Sequence, residues 1–233
     1  MCDFTFEHYR EILEVAKKSK YKIVSCIEYI KLRPKKALVL RHDVDSLPHR
    51  ALEMAKIENE AGVHSTYFFR VFSNEYNIFD YNTMNIILEI KNMGHEIGYH
   101  AEPVDVSKAV GISEEQAYNI GKKALELLID DKIKGVASHR EATGYNNLVD
   151  YLSKKTNEEL SIEYEAYDSQ GLNLFSNSAY LTDGYEWYWR TFKDGVLTND
   201  SNCVCKKLME GTEPIIYLLT HPNSWFTKHY HVW

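Results

Sequence analysis

No stretch of the 233-residue sequence approaches the ~18 consecutive apolar residues of a membrane-spanning helix, and there is no low-complexity linker or internal repeat. The opening segment, "MCDFTFEHYREILEVAKKSK", carries acidic residues and lacks the long apolar core of a secretory signal. A cytoplasmic protein with no membrane span is therefore expected. Basic charge is also in short supply: 27 Lys and Arg against 34 Asp and Glu give a net charge of −7, which argues against broad electrostatic binding of nucleic acid. Cysteine is sparse. Cys2, Cys26, Cys203 and Cys205 make no zinc-knuckle spacing, and a Cys-x-Cys pair is poorly suited to an internal disulfide, so reduced thiols are expected. A Gly-rich phosphate loop and a Gly-x-Ser-x-Gly elbow are both missing, which argues against nucleotide hydrolysis and serine-esterase chemistry.

What is present is an ordinary globular composition, 44% hydrophobic and 26% charged, in a chain long enough for one large core. A single domain over residues 1–233 is the simplest reading. Tyr9, Ile12, Leu13 and Ala16 fall at helical spacing and predict a helix over 5–19. Apolar and β-branched runs predict strands at 37–42, 65–71, 95–100, 135–140, 161–167, 179–182 and 214–221. Helices are predicted between them: at 48–61 with Ser46 as N-cap and Gly62 as stop, around Met84–Lys91, after the "SEEQ" capping box at 113–116, and at 146–156. Strand and helix alternate, which points to an α/β fold with a mostly parallel sheet.

The polar residues are not scattered at random over this pattern. "RHDVD" (41–45) ends the apolar run Ala37–Leu40, and charge at the end of a buried strand is costly unless it meets water, a counter-charge or a metal. Four other strand ends are also polar: His100, His139 with Arg140, Asp168, and His221. In barrel-like α/β folds that rim is where active sites sit.

"RHDVD", "GHEIGYH", "SHR", "YDSQG" and "LLTHP" stand in the order of the motifs of the polysaccharide deacetylase superfamily (NodB homology, carbohydrate esterase family 4). The sequence resembles its divergent, surface-polysaccharide-associated branch over roughly Phe4 to Trp225. The resemblance implies a distorted (β/α) barrel of the NodB type and metal-dependent removal of an acetyl group from an N-acetyl sugar.

It also implies roles. Asp43 is the expected base and Asp45 a metal ligand; two residues apart on a strand, both carboxylates face one side, and the swapped assignment stays open. Asp45 has a second use, as cap of the helix that begins near Leu47. His100 matches the first of two metal histidines, but four residues on stands Val104 where the family pattern has the second. Glu102 or His139 is left to complete the site, since carboxylate and imidazole both ligate zinc. Arg140 is the expected arginine that orients the base; otherwise it is an exposed loop residue. His221 matches the general acid, Trp225 is placed as a cleft wall, and Asp168 as a hydrogen-bond partner of a site histidine. His95, before its strand, is read as structural. "YEWYWR" (185–190) is equally a sugar-stacking surface or packing, and the histidines of "KHYHVW" are read as an exposed tail.

The expected cofactor is a divalent metal, Zn2+ first and Mn2+ or Co2+ next. The expected reaction is hydrolysis of an acylated amino sugar or polysaccharide precursor. A small non-sugar amide as substrate, and a carbohydrate-binding pseudoenzyme, are the two alternatives.

Overall fold

The structure is a computed structural model that describes residues 3–140, 142–167, 171–184 and 188–228. Among these, ten strands form one sheet: β1 (Lys22–Val24), β2 (Ala37–Val44), β3 (Thr66–Phe69), β4 (Glu96–Ala101), β5 (Gly135–Ser138), β6 (Tyr164–Glu165), β7 (Ala179–Thr182), β8 (Arg190–Lys193), β9 (Val196–Leu197) and β10 (Ile215–Thr220). The helices are α1 (Phe6–Lys18), α2 (Cys26–Leu32), α3 (Pro48–Glu60), α4 (Tyr81–Asn92), α5 (Pro103–Val110), α6 (Glu114–Ile129), α7 (Asn157–Leu160), α8 (Leu174–Asn177) and α9 (Val204–Glu210). The sheet runs β6-β5-β4-β3-β2-β10-β7-β8-β9, with β1 beside the start of β2. Pairing is parallel from β6 through to β7 and antiparallel only at β8 and β9.

The two-residue period of β2 explains how charge comes to be buried here. Leu38 and Leu40 face outward, against Ile12, Leu13 and the other apolar residues of α1 and α9. Ala37 and Val39 face inward, with Tyr217 of β10, Phe68 of β3 and Tyr164. A strand covered on both faces reads as one continuous apolar run. The same alternation carries Arg41 and Asp43 to the inner face and His42 to the outer.

The sheet curls until its inner face closes on itself. Tyr217 donates its hydroxyl to the carbonyl of Ala166, just beyond β6, and Tyr164 donates to Glu96 of β4. The β6 end of the path thus meets β10 and β4 across the interior through side chains, in a distorted barrel, as expected. Two glycines make room for the rings that fill it. A Cβ on Gly98 would lie 2.3 Å from Phe68, and one on Gly135 would lie 2.1 Å from Tyr164.

The capping box of Ser113 and Gln116 forms as predicted. Helix α3 differs: its N-cap is Leu47, at φ 50°, with no side-chain cap bond, and Pro48 supplies the first turn. Neither Ser46 nor Asp45 caps it. The helix expected over 146–156 is a π-turn, Asn147–Tyr151, followed by a 3-10 turn, Leu152–Lys154. Among the described residues no helix is long and apolar enough to cross a membrane.

Candidate active site

Strand β2 ends in a cleft of about 750 Å³ that also takes in the ends of β4, β5, β7 and β10. Asp43 enters it held from behind. Arg41 donates from Nε to Asp43 Oδ1 at 2.9 Å and from Nη2 to Oδ2 at 2.7 Å, a bidentate pair in which both side chains are buried. Burial pushes the Asp43 carboxyl up, but the charge and hydrogen bonds of Arg41 outweigh it and hold the group below its usual range. The arginine that orients Asp43 is therefore Arg41 and not Arg140. Arg41 lies two residues before Asp43 on one strand and so shares its face, whereas Arg140 follows β5 and stands exposed on the cleft rim.

Asp45, His100 and His139 converge beside Asp43. One ligand atom from each lies within 4.8 Å of the others. His100 Nε2 is 3.2 Å and His139 Nε2 is 3.7 Å from Asp45 Oδ1, and His100 Nε2 is 3.6 Å from Asp43 Oδ2. The far nitrogens set the tautomers. His100 Nδ1 donates to the carbonyl of Ala137 at 3.1 Å, and His139 Nδ1 faces Glu102 Oε2 at 3.3 Å. A carbonyl and a carboxylate only accept, so the protons of neutral rings belong on Nδ1. Both Nε2 lone pairs then point at one carboxylate oxygen, an arrangement that repels unless a cation stands among them. A tetrahedral zinc site with bonds of about 2.0–2.2 Å separates its N and O ligands by about 3.3–3.5 Å, close to the distances here. The donor set fits a divalent metal.

Glu102 stands apart from Asp45 and His100, in a second set of possible metal ligands with Asp105 and His139. Arg70, at the end of β3, donates to it from Nε at 3.3 Å and from Nη2 at 2.8 Å. Glu102 also faces His139 Nδ1, where it is placed to orient that ring. Burial would raise its carboxyl, but His139 and Arg70 together hold it low. Val104, where the family pattern has histidine, is buried in the outer core with Tyr99 and Tyr118. His139 comes from the neighbouring strand end instead. Its loop is fixed by Asp105, which accepts from the amides of Ala142 and Thr143 and from Asn147 Nδ2, while Asn147 also reaches the carbonyl of His139.

His221 also lines the cleft, at the end of β10. Its Nδ1 is 2.7 Å from Asp183 Oδ1, and its backbone amide donates to Asp183 Oδ2 at 2.8 Å. Burial alone would lower the ring's pKa; the Asp183 carboxylate outweighs it and raises the pKa to about 9. His221 is thus an imidazolium at neutral pH. Trp225 is not a cleft wall: it is fully buried among Phe4, Tyr9 and Trp189, and its indole N–H donates to Asp183 at 2.9 Å. Beyond the charged groups the cleft is lined by Tyr167, Phe175, Tyr180 and Phe192, with Arg190 beside them. Asp168, residues 185–187 of "YEWYWR" and His229 and His231 of the tail lie outside the described residues. His95 is structural, as expected: it bonds Ser65 and the carbonyl of Ala55 behind the sheet.

Asp43, Asp45, His100, His139 and His221 thus gather at the carboxyl rim of a curled α/β barrel. No family model matches the chain, and no curated protein does. Among solved structures it is similar to the Streptococcus pyogenes deacetylase PplD in complex with acetate, with 15% identity and a TM-score of 0.41 over 58% of this chain and 64% of that one. It is also similar to a mutant of BA3943, a CE4 family pseudoenzyme with restored enzymatic activity, with 11% identity and a TM-score of 0.48 over 81% of this chain and 57% of that one. The chain spans less than two thirds of the length of each.

Proposed function

We propose that the chain is a divalent-metal-dependent hydrolase that removes an acyl group, acetate in the simplest case, from an N-acylated amino sugar or polysaccharide precursor. The observation that carries this reading is one cleft holding an Arg-clamped carboxylate, a carboxylate–imidazole–imidazole ligand set and, on the adjoining strand, a charged His–Asp pair.

Asp45, His100 and His139 would hold a divalent ion, with Glu102 and the Ala137 carbonyl facing the far nitrogens of the two rings. When bound, such an ion would polarise the amide carbonyl and acidify water within its reach. Asp43, kept ionised by Arg41, takes the proton of the attacking water. His221, kept protonated by Asp183, gives its Nε2 proton to the departing nitrogen as the C–N bond breaks. The products are a free amine and a carboxylate. Acid and base begin the cycle in opposite protonation states, as the reaction requires.

The aromatic rings in the cleft favour a sugar over a small amide, since Tyr and Phe faces suit the apolar face of a pyranose. His139 in the place left by Val104 favours an active site over a pseudoenzyme. The experiment is a panel of N-acetylated amino sugars and oligosaccharides beside small amides, with metal-loaded protein and acetate release followed by NMR. Turnover of the sugars, lost in Asp43→Asn, is expected. Turnover of small amides alone, or of nothing, overturns the substrate assignment.

A further inference from the structure

The fold brings two of the cysteines to a histidine from the other end of the chain. His8, in the first turn of α1, places Nε2 3.2 Å from Sγ of Cys203, the residue just before α9. Cys205 follows in the first turn of α9, and one ligand atom from each of the three lies within 4.8 Å of the others. None of the three lines the cleft, and neither cysteine is in a disulfide. On the far side of the ring, His8 Nδ1 lies 2.8 Å from Glu11 Oε2. A carboxylate only accepts, so the ring proton sits on Nδ1 and the Nε2 lone pair turns toward sulfur.

We propose that His8, Cys203 and Cys205 form a second metal site, for a borderline-soft divalent cation such as Zn2+. One neutral imidazole and two thiolates are a ligand set that zinc takes, and two thiolates balance its charge. Glu11 supplies the carboxylate that metal-bound histidines use to fix ring and tautomer. Zinc bonded to N at about 2.0 Å and to S at about 2.3 Å separates tetrahedral ligands by about 3.5–3.8 Å. Binding therefore draws the most distant pair together by at most about 1.3 Å and spreads His8 and Cys203 by about 0.3 Å. The fourth position is left to water or an external ligand. The bound ion staples α9, which leads into the strand carrying His221, to α1, which carries Tyr9 against Trp225. The spacing of the cysteines gives no hint of this, because the third ligand lies 195 residues from Cys203.

The test is titration of the reduced full-length protein with Co2+, reading the thiolate-to-cobalt charge-transfer absorption that oxygen and nitrogen ligands do not produce. The band is expected in the wild type and in His100→Ala, and to be lost in Cys203→Ser and Cys205→Ser. Glu11→Gln is expected to weaken binding about 10- to 100-fold. In case the serine variants do not fold, alkylation of the wild type with iodoacetamide gives a second readout: Zn2+ is expected to slow modification of Cys203 relative to metal-free protein. No charge-transfer band in the wild type, a band indifferent to both cysteines, or alkylation unaffected by zinc overturns the site.

Discussion

Replacing Asp183 by Asn removes the charge that keeps His221 protonated while conserving the shape of the side chain. Asp183 contacts three groups at once, His221 Nδ1, the His221 amide and the Trp225 indole, so the ring stays placed while its charge balance changes. The move of the His221 pKa from 6.5 to about 9 is worth about 3 kcal/mol of preference for the protonated ring. Without Asp183, burial lowers the pKa and only the weaker charges of Asp45 and Asp43 still raise it, so a value near the ordinary ~6.5 is expected. At pH 8 the protonated fraction then drops from about nine-tenths to a few hundredths, so kcat/KM falls about 30-fold. At pH 6 the loss is less than about twofold. Stability follows the same proton. A raised histidine pKa stabilises the fold fully below the unfolded value of about 6.5, and that contribution is lost as the pH rises through about 9. The stability gap between wild type and Asp183→Asn is therefore widest in acid and closes in base. The direct assay is a pH titration of 13C-labelled histidine by NMR, with the His221 signal assigned from His221→Gln. An unchanged midpoint in Asp183→Asn refutes the assignment of Asp183 as the controlling charge.

Asp43→Asn is expected to lower turnover about 10²- to 10⁴-fold on any confirmed substrate, with metal content measured by elemental analysis unchanged. Arg41→Met leaves Asp43 buried without its counter-charge and is expected to cost about 3–5 kcal/mol; urea denaturation measures it, and adding Asp43→Asn is expected to recover part of the loss. Glu58 sits behind β2, accepting from Tyr9, His42, Ser65 and Tyr67. Although burial would raise its pKa, His42 and the other donors lower it to about 2. Its contribution is therefore present above about pH 4.5 and lost as the pH falls through about 2, so Glu58→Gln is expected to be less stable at neutral pH and to converge on the wild type in acid melts.

The barrel was legible because parallel strands covered on both faces leave unbroken apolar runs, as in Ala37–Leu40 and Ile215–Leu219. The site was legible because charge at the ends of such runs is otherwise too costly. What escaped was partnership. Arg41 stood inside the quoted "RHDVD", and the two-residue period puts it on the face of Asp43; weighing that period above the family's motif order would have found it. Asp183 follows the predicted strand 179–182, at "LTDG", and Arg70 stands at the end of the predicted 65–71, in "FFRV"; the same strand-end rule covers both. Trp225 was misplaced because an aromatic near a catalytic histidine serves equally in packing, and only its indole bond to Asp183 decides. The short strands β1, β8 and β9 and helices α2, α5 and α9 carry too few residues for a periodicity to stand out. His8 and Cys203 have no local signal at all, because their meeting depends on α1 packing against α9.

Metal stoichiometry tests the central claim most directly: that Asp45, His100 and His139 form a divalent-metal site beside Asp43. Zn2+-loaded wild type, Cys203→Ser/Cys205→Ser, and that double variant with His100→Ala are compared by elemental analysis after exhaustive dialysis. The account predicts that the cysteine variant keeps one equivalent per chain and that adding His100→Ala removes it. Metal content indifferent to His100 once the cysteines are gone contradicts it.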